Sequence, residues 1–238
     1  MTICEDGLNR NQLKYIAITA MVFDHVGMFF IPVTNPVGCV FRIIGRLTAP
    51  IMCFFIAEGY FYTGSKKRYG SRLFIFACIS QFAYSFAHYQ KPFTFDLNMI
   101  YTLFISFLVL LSYDKIENKV LKWTAVAALI ALTLPGDWGV IAPLWTLLFW
   151  IYRDRPKQKL ITYGAIAALT VLSDTAFLLI KGYHWYGELW QLGLFLAIPV
   201  LLTYNGEKGR SGCFSKWVFY LFYPLHLLVI GLIKLYLI

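Results

Sequence analysis

The sequence predicts an all-α protein: a polytopic bundle of about nine membrane-spanning helices, with the N-terminus cytoplasmic and the C-terminus outside. Three observations predict it. Of 238 residues, 59% are hydrophobic and only 14% charged, with a mean hydropathy of +0.64, too few charges to clothe a soluble domain of this length. The apolar runs are long and do not alternate, which argues against a β-barrel. Lys and Arg cluster in every second loop, the pattern of a chain that crosses a bilayer repeatedly. The whole of 1–238 reads as one integral-membrane domain, with no low-complexity segment, linker or internal repeat.

A helix needs about 20 apolar residues to cross ~30 Å of hydrocarbon. On that basis spans are expected at 13–32, 38–62, 69–88, 96–113, 120–135, 138–152, 159–181, 188–203 and 217–237. The first carries Asp24 and His25 and has no small-residue cleavage site after it, so it reads as a retained helix, not a signal peptide. The second contains Arg42, Arg46 and Pro50, and Glu58 near its inner end is placed to pair with a loop cation. The fifth and sixth are short and meet at "LPGDWG", a tight turn at Pro135–Gly139, so they are either two full crossings or a re-entrant pair. The eighth is also short. Pro50, Pro143, Pro199 and Pro224 interrupt spans and release backbone carbonyls, as around cavities.

Sixteen Lys and Arg fall at the N-terminal end and in the loops "TGSKKRYGSR", "DKIENKVLK", "RDRPKQK" and "NGEKGRSGCFSK", while only Lys91, Lys181 and Lys234 lie on the other side. Cytoplasmic loops carry the positive excess. The alternation therefore sets the orientation and accounts for the net charge of +9 without a nucleic acid. Cys4, Cys39, Cys53, Cys78 and Cys213 form no C-x-x-C or Cys/His spacing, so no metal site is expected.

Charge inside hydrocarbon is costly and needs a partner. With a rise of about 1.5 Å per residue, His25 lies ~18 Å from the inner face and Arg46 ~12 Å from the outer one. In a core of ~30 Å these depths coincide. His226 lies ~13 Å from the inside. Asp24, His25, Arg46 and His226 can thus share one layer, with Arg42 one turn further out. Asp24 is expected to stay ionised through Arg42 or Arg46. The second cation suits an anionic group or a developing oxyanion, and His25 suits proton transfer. Lys14 and His25 are 11 residues apart, about 20° beyond three full helical turns, so they lie on one stripe ~16 Å apart. A cation at the mouth with a base below it makes a track for a long anionic molecule. Toward the outside, His88, Asp96, Asn98, Asp137, Asp174, His184 and Glu188 form an acidic vestibule.

Four stretches, "LKYIAITAMVFDH" (13–25), "RIIGRLTAPIMCFFIAEGYFYT" (42–63), "YGSRL" (69–73) and "YPLHL" (223–227), together resemble the TraX family, membrane proteins named for the acetylation of conjugative pilin. Lys14 and His25, with ten residues between them, are also similar to the basic-x10-His motif of the acyltransferase-3 family, although Lys stands where Arg is commoner. The resemblance implies a multi-pass acetyltransferase of the bacterial cytoplasmic (inner) membrane. His25 would carry the transfer with Asp24, Arg46 and Arg42 around it. Acetyl-CoA would be the donor, held by Lys14, His226, Lys66 and Arg68. The acceptor, a peptide N-terminus or an envelope sugar, would meet His88, Asn98 and Asp174. The partners are then acetyl-CoA, that acceptor and membrane lipids. A small-anion transporter and a non-enzymatic pilus or envelope assembly protein are the competing functions. Buried Arg and His also mark substrate paths, but no repeat supports a transporter.

The orientation has a direct test. A reporter active only outside the cytoplasm is expected to give signal when fused at Ile238 and none when fused at Lys67; the opposite pattern overturns the orientation.

Overall fold

The computed structural model describes residues 7–209 and 213–237. It is helical: α1 (Arg10–Phe30), α2 (Pro36–Gly45), α3 (Thr48–Tyr62), α4 (Lys66–Tyr89), α5 (Met99–Lys115), α6 (Lys119–Leu132), α7 (Ile141–Ile151), α8 (Pro156–Ile180), a 3-10 helix (Trp185–Leu196), α9 (Ala197–Leu202) and α10 (Cys213–Leu237). Among the described residues there is no strand, only isolated bridges of Leu8 with Tyr204 and Leu97 with Gly136. Among the described residues, four stretches, Arg10–Phe30, Pro36–Tyr62, Pro156–Ile180 and Trp185–Leu202, are long and apolar enough to cross a membrane. The chain divides into two compact units, Met1–Ile51 with Arg155–Lys216, and Met52–Asp154 with Trp217–Ile238.

In the first unit, α1 starts at a capping box. The Asn9 side chain accepts from the N–H groups of Asn11 and Gln12, and the Gln12 side chain accepts from Asn9 N–H. Asn35 caps α2, with Pro36 in its first turn, where a missing N–H costs nothing. α1 and α2 pack closely because glycines face the partner helix. A Cβ on Gly27 would come 3.0 Å from Phe41 Cβ, and one on Gly45 would overlap the Asp24 side chain.

The expected single span at 38–62 is broken between α2 and α3. Arg46 N–H is shared between the carbonyls of Arg42 and Ile43, and Leu47 N–H goes to Ile44. Pro50 has no N–H to return to the carbonyl of Arg46, so the helix tightens there and restarts at Thr48. The eighth expected span, 188–203, also differs: it is a 3-10 helix followed by one short α-helix, with a kink at Glu188. A 3-10 helix rises about 2.0 Å per residue, so this stretch covers more depth than its residue count implies. Gly193 lets it lie against the backbone of Ile43.

In the second unit, α4 and α5 form a hairpin closed by buried amides. Asn98 caps α5, its Oδ1 accepting from the N–H groups of Ile100 and Tyr101, while its Nδ2 donates to Ala77 O and Gln81 Oε1, each at 2.9 Å. Tyr223 of α10 accepts from Met99 N–H at 3.2 Å. Lys234 donates to the carbonyls of Ala87 and His88, placing a cation at the negative end of α4. The turn between α6 and α7 is tied to the loop before α5 by Leu97 N–H to Pro135 O (2.7 Å) and Asp137 N–H to Leu97 O (2.8 Å). Only residues 116–118 separate the other end of α5 from α6. The pair α6–α7 therefore follows the length of α5 and does not turn back halfway along it.

Asn98→Ala removes the cap and leaves the Gln81 carbonyl oxygen buried without its donor from the Asn98 side chain. The expected loss is about 2 kcal/mol or more of stability, read as a lower unfolding midpoint in detergent.

Candidate functional site

The site of the first unit is built on Asp24. Arg42 and Arg46 lie four residues apart at the end of α2, so both project to one side of it. Arg42 Nη1 donates to Asp24 Oδ1 at 2.8 Å, and Arg46 Nη2 donates to Oδ1 at 2.8 Å and Oδ2 at 3.0 Å. The three side chains are only 16, 11 and 8% exposed for Asp24, Arg42 and Arg46. Where the sequence left the choice between the two arginines open, both bind. Gly45 makes room for the carboxylate, because any side chain there would occupy its place.

Trp190 of the 3-10 helix closes the cluster. Its ring centroid lies 4.2 Å from Arg42 Cζ and 4.5 Å from Arg46 Cζ. The neighbouring Gln191 donates through Nε2 to Asp174 Oδ2 of α8 at 3.0 Å. Asp174 is within electrostatic reach of Arg46, and Glu188 within reach of Asp174, Arg42 and Arg46. The second cation, expected to be left over for a ligand, thus also faces two outer carboxylates. Trp190 and Gln191 were not legible as site residues. Their one signal was an amide beside an indole inside an apolar span, which reads equally well as packing.

His25 follows Asp24 and so points about 100° further around α1. It is buried, at 8% exposure, and its ring stacks on Phe29 with centroids 6.1 Å apart. Lys14 is half-buried on the same unbroken helix, close enough to Arg10 for mutual repulsion, so the N-terminal turns of α1 carry two cations.

The remaining expected residues belong to the second unit. Lys66 donates to Asp114 Oδ2 at 3.2 Å, and Tyr60 donates to the same oxygen at 2.8 Å, with the Lys66 ammonium 4.2 Å from the Tyr60 ring centroid. Arg68 is exposed in the first turn of α4. Glu58 has the loop cation expected for it, Arg153, with Nε 3.4 Å from Oε1. At the other end of α4, His88 Nδ1 lies 3.0 Å from Tyr84 O, and the two rings are 4.1 Å apart. His226 Nδ1 lies 2.8 Å from Phe222 O, and its ring stacks on Phe222. A carbonyl only accepts, so in both histidines Nδ1 carries the proton. Asn98, expected to face the acceptor, spends its side-chain oxygen and nitrogen on the cap and on the tie to α4. Tyr89 donates to Asp96 on the same side. Cys39, Cys53 and Cys78 are free thiols. Among the described residues, no three His, Cys, Asp or Glu side chains gather as metal ligands.

The model of a family described as "TraX protein" matches residues 9–234. A protein of Dichelobacter nodosus described as "Probable fimbrial assembly protein FimC, serogroup H1" is 31% identical over 237 residues, covering 95% of this chain and 96% of the relative. A protein of Rickettsia prowazekii (strain Madrid E) described as "Uncharacterized protein RP591" is 38% identical over 84 residues, 33% of this chain and 32% of its own length. No solved structure matches the chain.

The ion triad makes a stability prediction. Asp24→Ala leaves two guanidinium groups buried without their shared carboxylate and is expected to cost about 3–5 kcal/mol, whereas Arg42→Met keeps the Asp24–Arg46 pair and costs less. Denaturant titration of both variants in detergent measures the difference.

Proposed function

The chain belongs to the TraX protein family, and from that premise we propose that it is a membrane-embedded acetyltransferase. It moves an acetyl group from cytoplasmic acetyl-CoA to an amine or hydroxyl acceptor on the far side. The observation that carries this reading is His25: a buried imidazole on one unbroken helix with Lys14, beside a carboxylate held by two arginines.

In this reading CoA docks its anionic end at the cytoplasmic end of α1, at Lys14 beside Arg10. The pantetheine arm covers the ~16 Å from Lys14 to His25. His25 takes the proton from the acceptor N–H or O–H. The acceptor forms a bond to the thioester carbonyl carbon, and the carbonyl electron pair moves onto oxygen. Arg46 or Arg42 steadies that oxyanion. Collapse breaks the C–S bond, and the imidazolium returns its proton to the thiolate, leaving acetylated acceptor and free CoA. A variant route places the acetyl group on His25 first. Asp24 keeps the arginines aligned in both. The acceptor, a peptide N-terminus or an envelope sugar, approaches from the outer side, past Asp174 of α8. Within the second unit, the 24-residue α4 supports two-sided access: Lys66 begins it and His88 lies in its last turn, about 33 Å away. The reading places the protein in the bacterial cytoplasmic membrane, with nine crossings, N-terminus inside and C-terminus outside.

A second reading is a non-enzymatic role in assembling fimbriae or another envelope structure. The description of the Dichelobacter nodosus relative favours it.

The two readings part on His25. For the enzyme, His25→Ala is expected to lower transfer of labelled acetyl from acetyl-CoA by about 10²-fold or more in reconstituted membranes, with folding and insertion intact. Calorimetry in detergent is expected to show CoA affinity nearly unchanged in His25→Ala, strongly weakened in Lys14→Glu, and weakened by salt. Wild-type protein that neither binds CoA nor transfers acetyl leaves the assembly role.

A further inference from the structure

We infer that Trp190 is a positioning residue: its indole holds the guanidinium groups of Arg42 and Arg46 together on Asp24, and the 3-10 helix exists to set that indole in place. Two guanidinium groups four residues apart on one helix face repel each other. Asp24 binds both guanidinium groups directly, and Asp174 and Glu188 act on them only through electrostatic reach. The ring of Trp190 lies within 4.5 Å of both Cζ atoms and is itself 8% exposed, so the negative face of its π-system touches both cations in a dry setting.

The surrounding geometry fits a built clamp. A 3-10 helix has three residues per turn, so Trp190 and Gly193 lie one above the other on the same face. At Gly193 a side chain would overlap the carbonyl of Ile43, so this face touches the backbone of α2 beside Arg42. Gln191 secures the adjacent face by donating to Asp174 of α8, while its own Oε1 is buried without a hydrogen-bond partner. The 3-10 helix is thereby tied to α2 on one side and to α8 on the other. An α-helix would set residue 193 about 60° out of line with residue 190, whereas the 3-10 helix stacks the two directly.

The clamp itself needs no reaction, but its consequence for catalysis rests on the acetyltransferase reading, and the experiment separates the two. The full-length protein in detergent is treated with phenylglyoxal, and modification at Arg42 and Arg46 is timed by peptide mass spectrometry in wild type, Trp190→Leu, Trp190→Phe and Gly193→Ala. Both arginines are expected to react about tenfold faster in Trp190→Leu and Gly193→Ala, while Trp190→Phe, which keeps an aromatic face, stays within about threefold of wild type. In acetyl transfer, Trp190→Leu is expected to lower kcat by about tenfold or more with KM for acetyl-CoA unchanged, because the donor's binding end lies elsewhere. Unchanged protection of the arginines in folded Trp190→Leu overturns the clamp, as does Trp190→Phe reacting as fast as Trp190→Leu. Should Trp190→Leu not fold, Gly193→Ala decides, since it keeps the indole but lifts the segment from α2; unchanged protection there overturns the clamp too. If no protein transfers acetyl, wild type included, the acetyltransferase reading fails while arginine protection still decides the clamp.

Discussion

The first unit is organised around the burial of Asp24. A carboxylate this far from water survives as an ion only if cations reach it, and two do, from consecutive turns of the same helix. Much of the local architecture answers to that constraint. Gly45 is required because the carboxylate occupies the space of a side chain. Arg46 stands at the last turn of α2, where the helix tightens before Pro50, so the break in this stretch and the charge cluster share one place. Trp190 and the outer carboxylates Asp174 and Glu188 then respond to the surplus positive charge.

The second unit obeys the same low-dielectric rule, with a network of buried amides and hydroxyls near one end of α4 and paired charges at the other. Gln81 and Asn98 satisfy each other and the first N–H groups of α5. Ser85 and Thr94 extend that network into the loop. At the opposite end, Tyr60 and Lys66 converge on Asp114, and Arg153 binds Glu58 while donating to Tyr62 and lying over the Phe61 ring. Lys66 is therefore already engaged by Asp114 and by the Tyr60 ring, which limits its freedom to move.

Membership of the TraX protein family and the arrangement around His25 meet at one chemical theme. A buried imidazole beside a charge cluster fixed by hydrogen bonds is the feature on which the proposed proton transfer rests. In this setting the arginines serve best as fixed electrostatic elements, because their hydrogen bonds to Asp24 hold them still.

Long apolar runs and loop cations were legible in the linear chain because bilayer thickness and surface charge act on composition alone; the all-helical class followed from them. The Asp24–Arg42–Arg46 contact was also legible, since depth can be counted along helices and a buried charge demands a partner. Other features depended on neighbours distant in sequence. Pro50 was legible as an interruption of the span 38–62, but where the helix ends and restarts was not, because that depends on which carbonyls the N–H groups of Arg46 and Leu47 reach. Residues 188–203 read as a short span because composition does not separate 3-10 from α geometry. Asn98 looked like a vestibule residue because a polar side chain beside a span end reads alike whether it meets solvent or caps a helix. Trp190 was not singled out, because an indole becomes a partner for cations only once folding brings two guanidinium groups against its face.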